Sequence, residues 1–230
     1  MKYPHNFQPK FIRAIAFDID GTLFSSESII LDTYILAFQN YEKQSGKKIR
    51  IPTKDEIMAQ VGKPVKSIFS NLVPELSESI RDQISDSILE LLCEKILSGE
   101  GEIYPEVKET ILALKSNGLK LLCASNGRMP YVSSILARIG VLEEFEEILV
   151  LNYRERKTKA DILGQYHGKY RLEPGSILMV GDRASDFDAA MENSAPFAFC
   201  EYGHASRDEV TSYNILLKKP SDLLKFFTVV

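Results

Sequence analysis

The stretch Ile12-Arg13-Ala14-Ile15-Ala16-Phe17-Asp18-Ile19-Asp20-Gly21-Thr22-Leu23 decides the fold. Its first half is a short apolar run stopped by a glycine turn, the pattern of a strand buried inside a parallel sheet. Alternate residues of a strand face opposite sides, but where the chain leaves the sheet Asp18 and Asp20 can face one crevice. Crowded carboxylates repel each other unless a cation or a proton offsets them. The pair therefore points to chemistry, with one carboxylate as nucleophile, the other as acid and base, and a metal ion bound between them.

The 230 residues allow one large domain or two modest ones, and 44% hydrophobic with 26% charged residues can build a sizeable core. Net charge is −4 and there is no basic block, so electrostatics make no case for a nucleic-acid partner. Small anions stay open, because a bound cation and local lysines outweigh a weak global field. Cys93, Cys123 and Cys200 are far apart and form no zinc spacing, which predicts reduced structural cysteines and a cytoplasmic protein. Neither the run Met1 to Phe7 nor any later segment has the apolar length of a signal core or a membrane span, so no membrane partner is expected.

After Thr22 the pattern turns helical. Ile30, Tyr34, Ile35 and Phe38 recur in steps of three and four, as do Ile84, Ile88, Leu91, Leu92 and Ile96. Thr53 with Glu56 three residues later reads as a helix start. Residues 98–102, with Gly99 and Gly101, read as the hinge that returns the chain. The expected division is a core of residues 1–23 and 99–230, with a helical cap of residues 24–98 inserted into it. Beyond the hinge, helices over 105–117, 130–139, 160–170 and 184–193 alternate with strands over 119–124, 148–151, 177–180 and 197–200. A short strand at 215–217 and a helix near Leu223 close the chain. This predicts an α/β fold, a Rossmann-like parallel sheet with helices on both faces and a ligand site beyond the carboxyl ends of its strands.

Each core strand is followed by groups that carry chemistry. The first delivers Asp18 and Asp20, and the second Ser125, Asn126 and Gly127. After the third come Arg154, Arg156, Lys157 and Lys159, and after the fourth Gly181, Asp182, Arg183 and Asp186. On these residues the chain resembles the haloacid dehalogenase superfamily of hydrolases, and within it the phosphoglycolate phosphatase-like members that carry a helical cap. Phe17 to Leu23 matches the first family motif, Cys123 to Gly127 the second, and Val180 to Asp186 the fourth. The third motif is a lysine. Lys159, just before the predicted helix, is the preferred choice and Lys157 the alternative, since no Lys-Pro-x-Pro marks the place.

The resemblance implies a Mg²⁺-dependent phosphatase acting on a small phosphorylated metabolite through an aspartyl-phosphate. In that reading Asp18 attacks phosphorus, and Asp20 protonates the leaving alcohol and then activates water. Asp18, the main-chain carbonyl of Asp20, and Asp182 ligate the ion, with Asp186 a ligand through water or an orienter of the others. Ser125 and the motif lysine hold the phosphoryl group. Thr22, in the hinge that positions Asp20, joins Asn126 and Gly127 in the substrate-contact set, with Arg128, Lys63 and Lys66 as candidates for an anionic substrate. The helical insert acts as a lid, compatible with a monomer or a weak homodimer.

Two other readings deserve tests. A sugar-phosphate mutase on the same core requires a proton-shuttling cap residue, often histidine, and no histidine lies between Gly21 and Gly101. A phospho-accepting interaction protein would use the same acidic groups, yet lacks the Asp-x-Asp-Gly-Thr order. Of His5, His167 and His204, only His204 follows a core strand closely enough to overhang the site. Glu143, Glu144, Glu146 and Glu147 read as a solvated helix end.

Overall fold

The computed structural model describes residues 7–205 and 208–227; His5 lies outside them. Strand β1 (Ala14–Phe17) is followed by a two-residue strand β2 (Phe24–Ser25) and four helices, α1 (Glu27–Ser45), α2 (Lys54–Met58), α3 (Val65–Leu72) and α4 (Glu78–Leu97). Strand β3 (Glu102–Ile103) returns the chain to α5 (Val107–Ser116), β4 (Lys120–Ser125), α6 (Met129–Ile139) and β5 (Glu147–Val150). Next come α7 (Lys159–Tyr170), β6 (Ile177–Gly181), α8 (Ala184–Glu192), β7 (Phe197–Cys200), β8 (Ile215–Leu217) and α9 (Leu224–Phe227).

Six strands form a parallel sheet in the order β5-β4-β1-β6-β7-β8, with β1 hydrogen-bonded to β4 on one side and β6 on the other. Chain order reverses on either side of β1, so the carboxyl end of β1 opens into the switch-point crevice where such sheets bind ligands. Every residue of β1 is buried, and its alternation sorts the two layers of the core. Ile15 and Phe17 belong to one cluster with Val107 of α5 and Val132 of α6. Ala14 and Ala16 belong to the other with Ile162 of α7 and Ala189 of α8.

Of the residues whose spacing announced helices, α1 buries Ile30, Tyr34 and Phe38 and α4 buries Ile84, Ile88, Leu92 and Ile96, while Ile35 and Leu91 are half-buried. Thr53 and Glu56 form a reciprocal capping box that starts α2. The pattern gave no sign of the antiparallel ribbon that pairs Phe24 with Ile103. Two residues per strand are too few to express a period of two. Glu143 and Glu144 end the short 3-10 helix 142–144, whereas Glu147 opens β5, so only the first half of the acidic cluster sits at a helix end. Glu146 accepts from Lys115 at 2.7 Å and Glu147 from Lys169 at 2.7 Å. Among the described residues no helix is long and apolar enough to cross a membrane, and the three cysteines are free thiols.

Candidate active site

Asp18 is the first residue past β1, and its amide still donates to the carbonyl of Val180 at 2.9 Å, which holds its Cα in the sheet. Its side chain is buried beside Lys159, whose Nζ lies 2.8 Å from Asp18 Oδ1 and 2.5 Å from Asp186 Oδ1. Lys159 is the first residue of α7, a start set by a capping box in which the Asp161 amide donates to Thr158 Oγ1 and the Thr158 amide to Asp161 Oδ2. A cation at a helix amino terminus is unfavourable, and the two carboxylates offset that. Farther along α7 the buried Tyr166 hydroxyl donates to the Cys123 carbonyl and accepts from the Leu149 amide, bracing α7 on β4 and β5. Lys157 is exposed, tied only through its backbone amide to Asp161. Of the two lysines, the structure brings Lys159 to the site and leaves Lys157 in solvent.

Asp182 and Asp186 arrive from the end of β6 and the first turn of α8. The Arg183 amide donates to Asp186 Oδ2 at 2.9 Å, so with Lys159 on its other oxygen Asp186 has both oxygens engaged. Asp182 Oδ2 accepts from the His204 backbone amide at 2.6 Å. Oxygens of Asp18, Asp182 and Asp186 lie within 4.8 Å of one another. Asp18 Oδ2 and Asp182 Oδ1 are buried and take no hydrogen bond. Orphaned buried carboxylate oxygens are costly unless something positive meets them, and an all-oxygen donor set suits a hard divalent cation. Gly21, at φ +87°, makes the approach possible, since a Cβ there would overlap the Asp182 carboxylate.

Burial raises the Asp18 and Asp182 carboxyls above the usual carboxylate range, with Lys159 opposing the shift at both and Asp18 and Asp186 reinforcing it at Asp182. Burial also pushes Asp186 up to about 6, against the pull of Lys159. Lys159 shows the reverse balance: burial works against its charge, yet Asp18 and Asp186 hold it above its ordinary value.

Asp20 faces the cleft under the inserted helices. Its carboxylate accepts from the Ser26 hydroxyl at 3.0 Å, the Ser26 amide at 3.3 Å and the Tyr131 hydroxyl at 2.6 Å. Ser125 lines the same cleft and accepts from the Gly127 amide at 3.0 Å. Asn126 donates to the Gly62 carbonyl at 2.8 Å, tying the second strand-end loop to the inserted helices. Lys63 and Arg128 also line the cleft. Arg128 is half-buried and paired with Asp86 at 2.6 Å.

Two expected contacts fall elsewhere. Thr22 is fully buried behind the loop, its carbonyl accepting from Tyr202, and is not on the cleft wall. Lys66 points to solvent and pairs with Glu78 at 3.0 Å. His204 reaches the site by its amide, while its ring meets Ser25 Oγ at 3.1 Å. His167 bonds the Leu172 carbonyl through Nδ1 at 3.0 Å. Tyr131 and the His204 amide escaped the sequence reading. A tyrosine at helical spacing reads as core, and a main-chain donor carries no residue signature.

A sequence model of haloacid dehalogenase-like hydrolases matches residues 12–192. The chain is 26% identical over 221 residues to a phosphoglycolate phosphatase of Photorhabdus laumondii, covering 94% of this chain and 92% of that one. It is 27% identical over 225 residues to a phosphoglycolate phosphatase of Aquifex aeolicus, covering 93% and 96%. In three dimensions it is similar to a predicted phosphoglycolate phosphatase from Haemophilus somnus, with a TM-score of 0.78, 24% identity, and 95% and 99% of the two chains covered.

Proposed function

The chain belongs to the haloacid dehalogenase-like hydrolases, and from that membership we propose that it is a Mg²⁺-dependent phosphatase of small phosphomonoesters. One observation carries the proposal: a buried lysine bridges Asp18 and Asp186 while one oxygen of Asp18 and one of Asp182 stay unpartnered. A fully solvated acidic loop has no use for such a cation. A site that must accept a phosphate dianion beside carboxylates needs it.

In this reading an oxygen of Asp18 attacks phosphorus and the ester P–O bond breaks, leaving an aspartyl-phosphate. Protonated Asp20 gives its proton to the departing alkoxide. The resulting carboxylate then takes a proton from water, whose oxygen attacks phosphorus, and the bond to Asp18 breaks to release inorganic phosphate. Ser125, the Asn126 backbone amide and Lys159 meet the phosphoryl oxygens, and the Gly127 amide, which donates to Ser125 Oγ, holds that hydroxyl in place. Asp18 and Asp182 would hold Mg²⁺, with the Asp20 carbonyl as a third ligand by family resemblance and Asp186 orienting Lys159. When bound, the ion offsets the negative charge gathered around phosphorus. With no histidine between Gly21 and Gly101, the mutase reading gains no support.

Phosphate release from p-nitrophenyl phosphate with Mg²⁺, and its loss with a chelator, tests the function. Asp20→Asn is expected to lower kcat by about 10²- to 10⁴-fold, the usual worth of general acid–base catalysis; unchanged kcat would remove Asp20 from that role. Tyr131 acts as a positioning residue for Asp20, holding its carboxylate with a hydrogen bond of the charge-assisted class. Tyr131→Phe is expected to lower kcat about tenfold with KM nearly constant. A matching rise in KM instead would mean that Tyr131 contacts substrate.

Mg²⁺ is expected to raise the melting temperature by about 5 °C or more at saturating concentration, and Asp182→Asn to abolish the shift. The shift should be smaller at pH 5 than at pH 7.5, because carboxyls lifted by burial, Asp186 to about 6, take protons in competition with the ion. Equal shifts at the two pH values, or an intact shift in Asp182→Asn, would place the metal elsewhere.

A further inference from the structure

We infer that the ester this site hydrolyses carries an apolar alcohol, an alkyl or aryl group, rather than a second anion or a polyol. The inference rests on the phosphatase reading. The cleft that contains Asp18 and Asp20 extends away from them between the inserted helices and encloses about 100 Å³. Its far walls are Ile30 and Tyr34 of α1, Val61, Phe69 of α3, and Ile88 and Leu92 of α4. All six are buried, and the Tyr34 and Phe69 rings lie parallel, 4° apart in plane with centroids at 6.0 Å.

The polar groups around this space are mostly committed. Ser26 and Tyr131 donate to Asp20, Asn126 donates to Gly62, and Arg128 is paired with Asp86. Lys63 donates to Gln60 Oε1 at 3.2 Å and is half-buried. Ser85 and Tyr34 each add one hydroxyl to the far wall. A carboxylate two bonds from the phosphate, as in the substrate named for the relatives, would have to break the Arg128–Asp86 or Lys63–Gln60 contact or give up its water to hydrocarbon. A sugar would leave several hydroxyls unpaired against isoleucine and leucine. An alkyl or aryl group loses nothing there and gains burial.

The test is kcat/KM across methyl, ethyl, n-propyl and n-butyl phosphate, with phosphoglycolate, glycerol phosphate and p-nitrophenyl phosphate alongside. The four alkyl alcohols leave with nearly the same difficulty, so a trend with length reports the cleft and not the chemistry. The expected result is a rise of about fourfold per methylene, with butyl phosphate surpassing phosphoglycolate and glycerol phosphate. A flat or falling series, or phosphoglycolate as the best ester, overturns the apolar assignment and leaves the phosphatase standing. Phosphate release from none of these esters, p-nitrophenyl phosphate included, overturns the phosphatase reading and this inference with it.

Discussion

Asp18→Asn is expected to abolish phosphate release, by a factor on the order of 10⁴ to 10⁶, the scale seen when a catalytic nucleophile is removed. The amide has the shape of the carboxylate and keeps an acceptor for Lys159 Nζ, now 2.8 Å from Oδ1, but its oxygen is far too weak a nucleophile to attack phosphorus. The fold should survive. Burial already raises the Asp18 carboxyl against ionisation, so a neutral side chain relieves one of three crowded carboxylates, Asp18, Asp182 and Asp186. A melting temperature within a few degrees of wild type with turnover gone would be the signature. Retained turnover in well-folded Asp18→Asn would refute the nucleophile assignment outright.

Lys159→Met is expected to cost both activity and stability. The replacement matches the side chain in length but leaves Asp18 and Asp186 buried without the cation that bridges them. Removing one partner of a buried ion pair typically costs about 3–5 kcal/mol, or roughly 10 °C in melting temperature for a chain of this size. The deficit has a pH signature. Asp186 is already raised to about 6 by burial, with Lys159 opposing. A carboxyl raised in the folded state contributes stability that is present below its unfolded pKa and lost as pH rises through the folded one. Without Lys159 the carboxyls rise further, so the variant should lose more stability at pH 8 than at pH 5. Lys157→Met, at an exposed position, should change neither property. Equal damage from both substitutions would mean that the lysines are not distinguished by burial.

Much of this molecule is legible along the chain, because the groups that carry it are local. A strand ending in Asp18 and Asp20, a hydroxyl at Ser125 after the next strand, and Asp182 with Asp186 around a helix start each declare themselves within a few residues. The parallel sheet follows from the alternation of strands and helices, and Thr53 with Glu56 announces its own helix. The choice between Lys157 and Lys159 was only partly local. It turned on where the Thr158–Asp161 box starts α7 and on Tyr166 fixing that helix to β4 and β5. Thr22 and Lys66 lie off the cleft wall for the same reason, since one is buried and the other exposed.

The order of residues by itself determined the sheet, the inserted helices and the carboxylates at the strand ends, because periodicity and turn chemistry act over a few neighbours. Only the tertiary structure decided which lysine meets Asp18, that Tyr131 holds Asp20 from 111 positions away, and that isoleucine, leucine and phenylalanine wall the cleft beyond Asp18 and Asp20. Those contacts join segments distant in the chain, and nothing in a local pattern records which side chains a closed fold will bring within hydrogen-bonding or van der Waals reach.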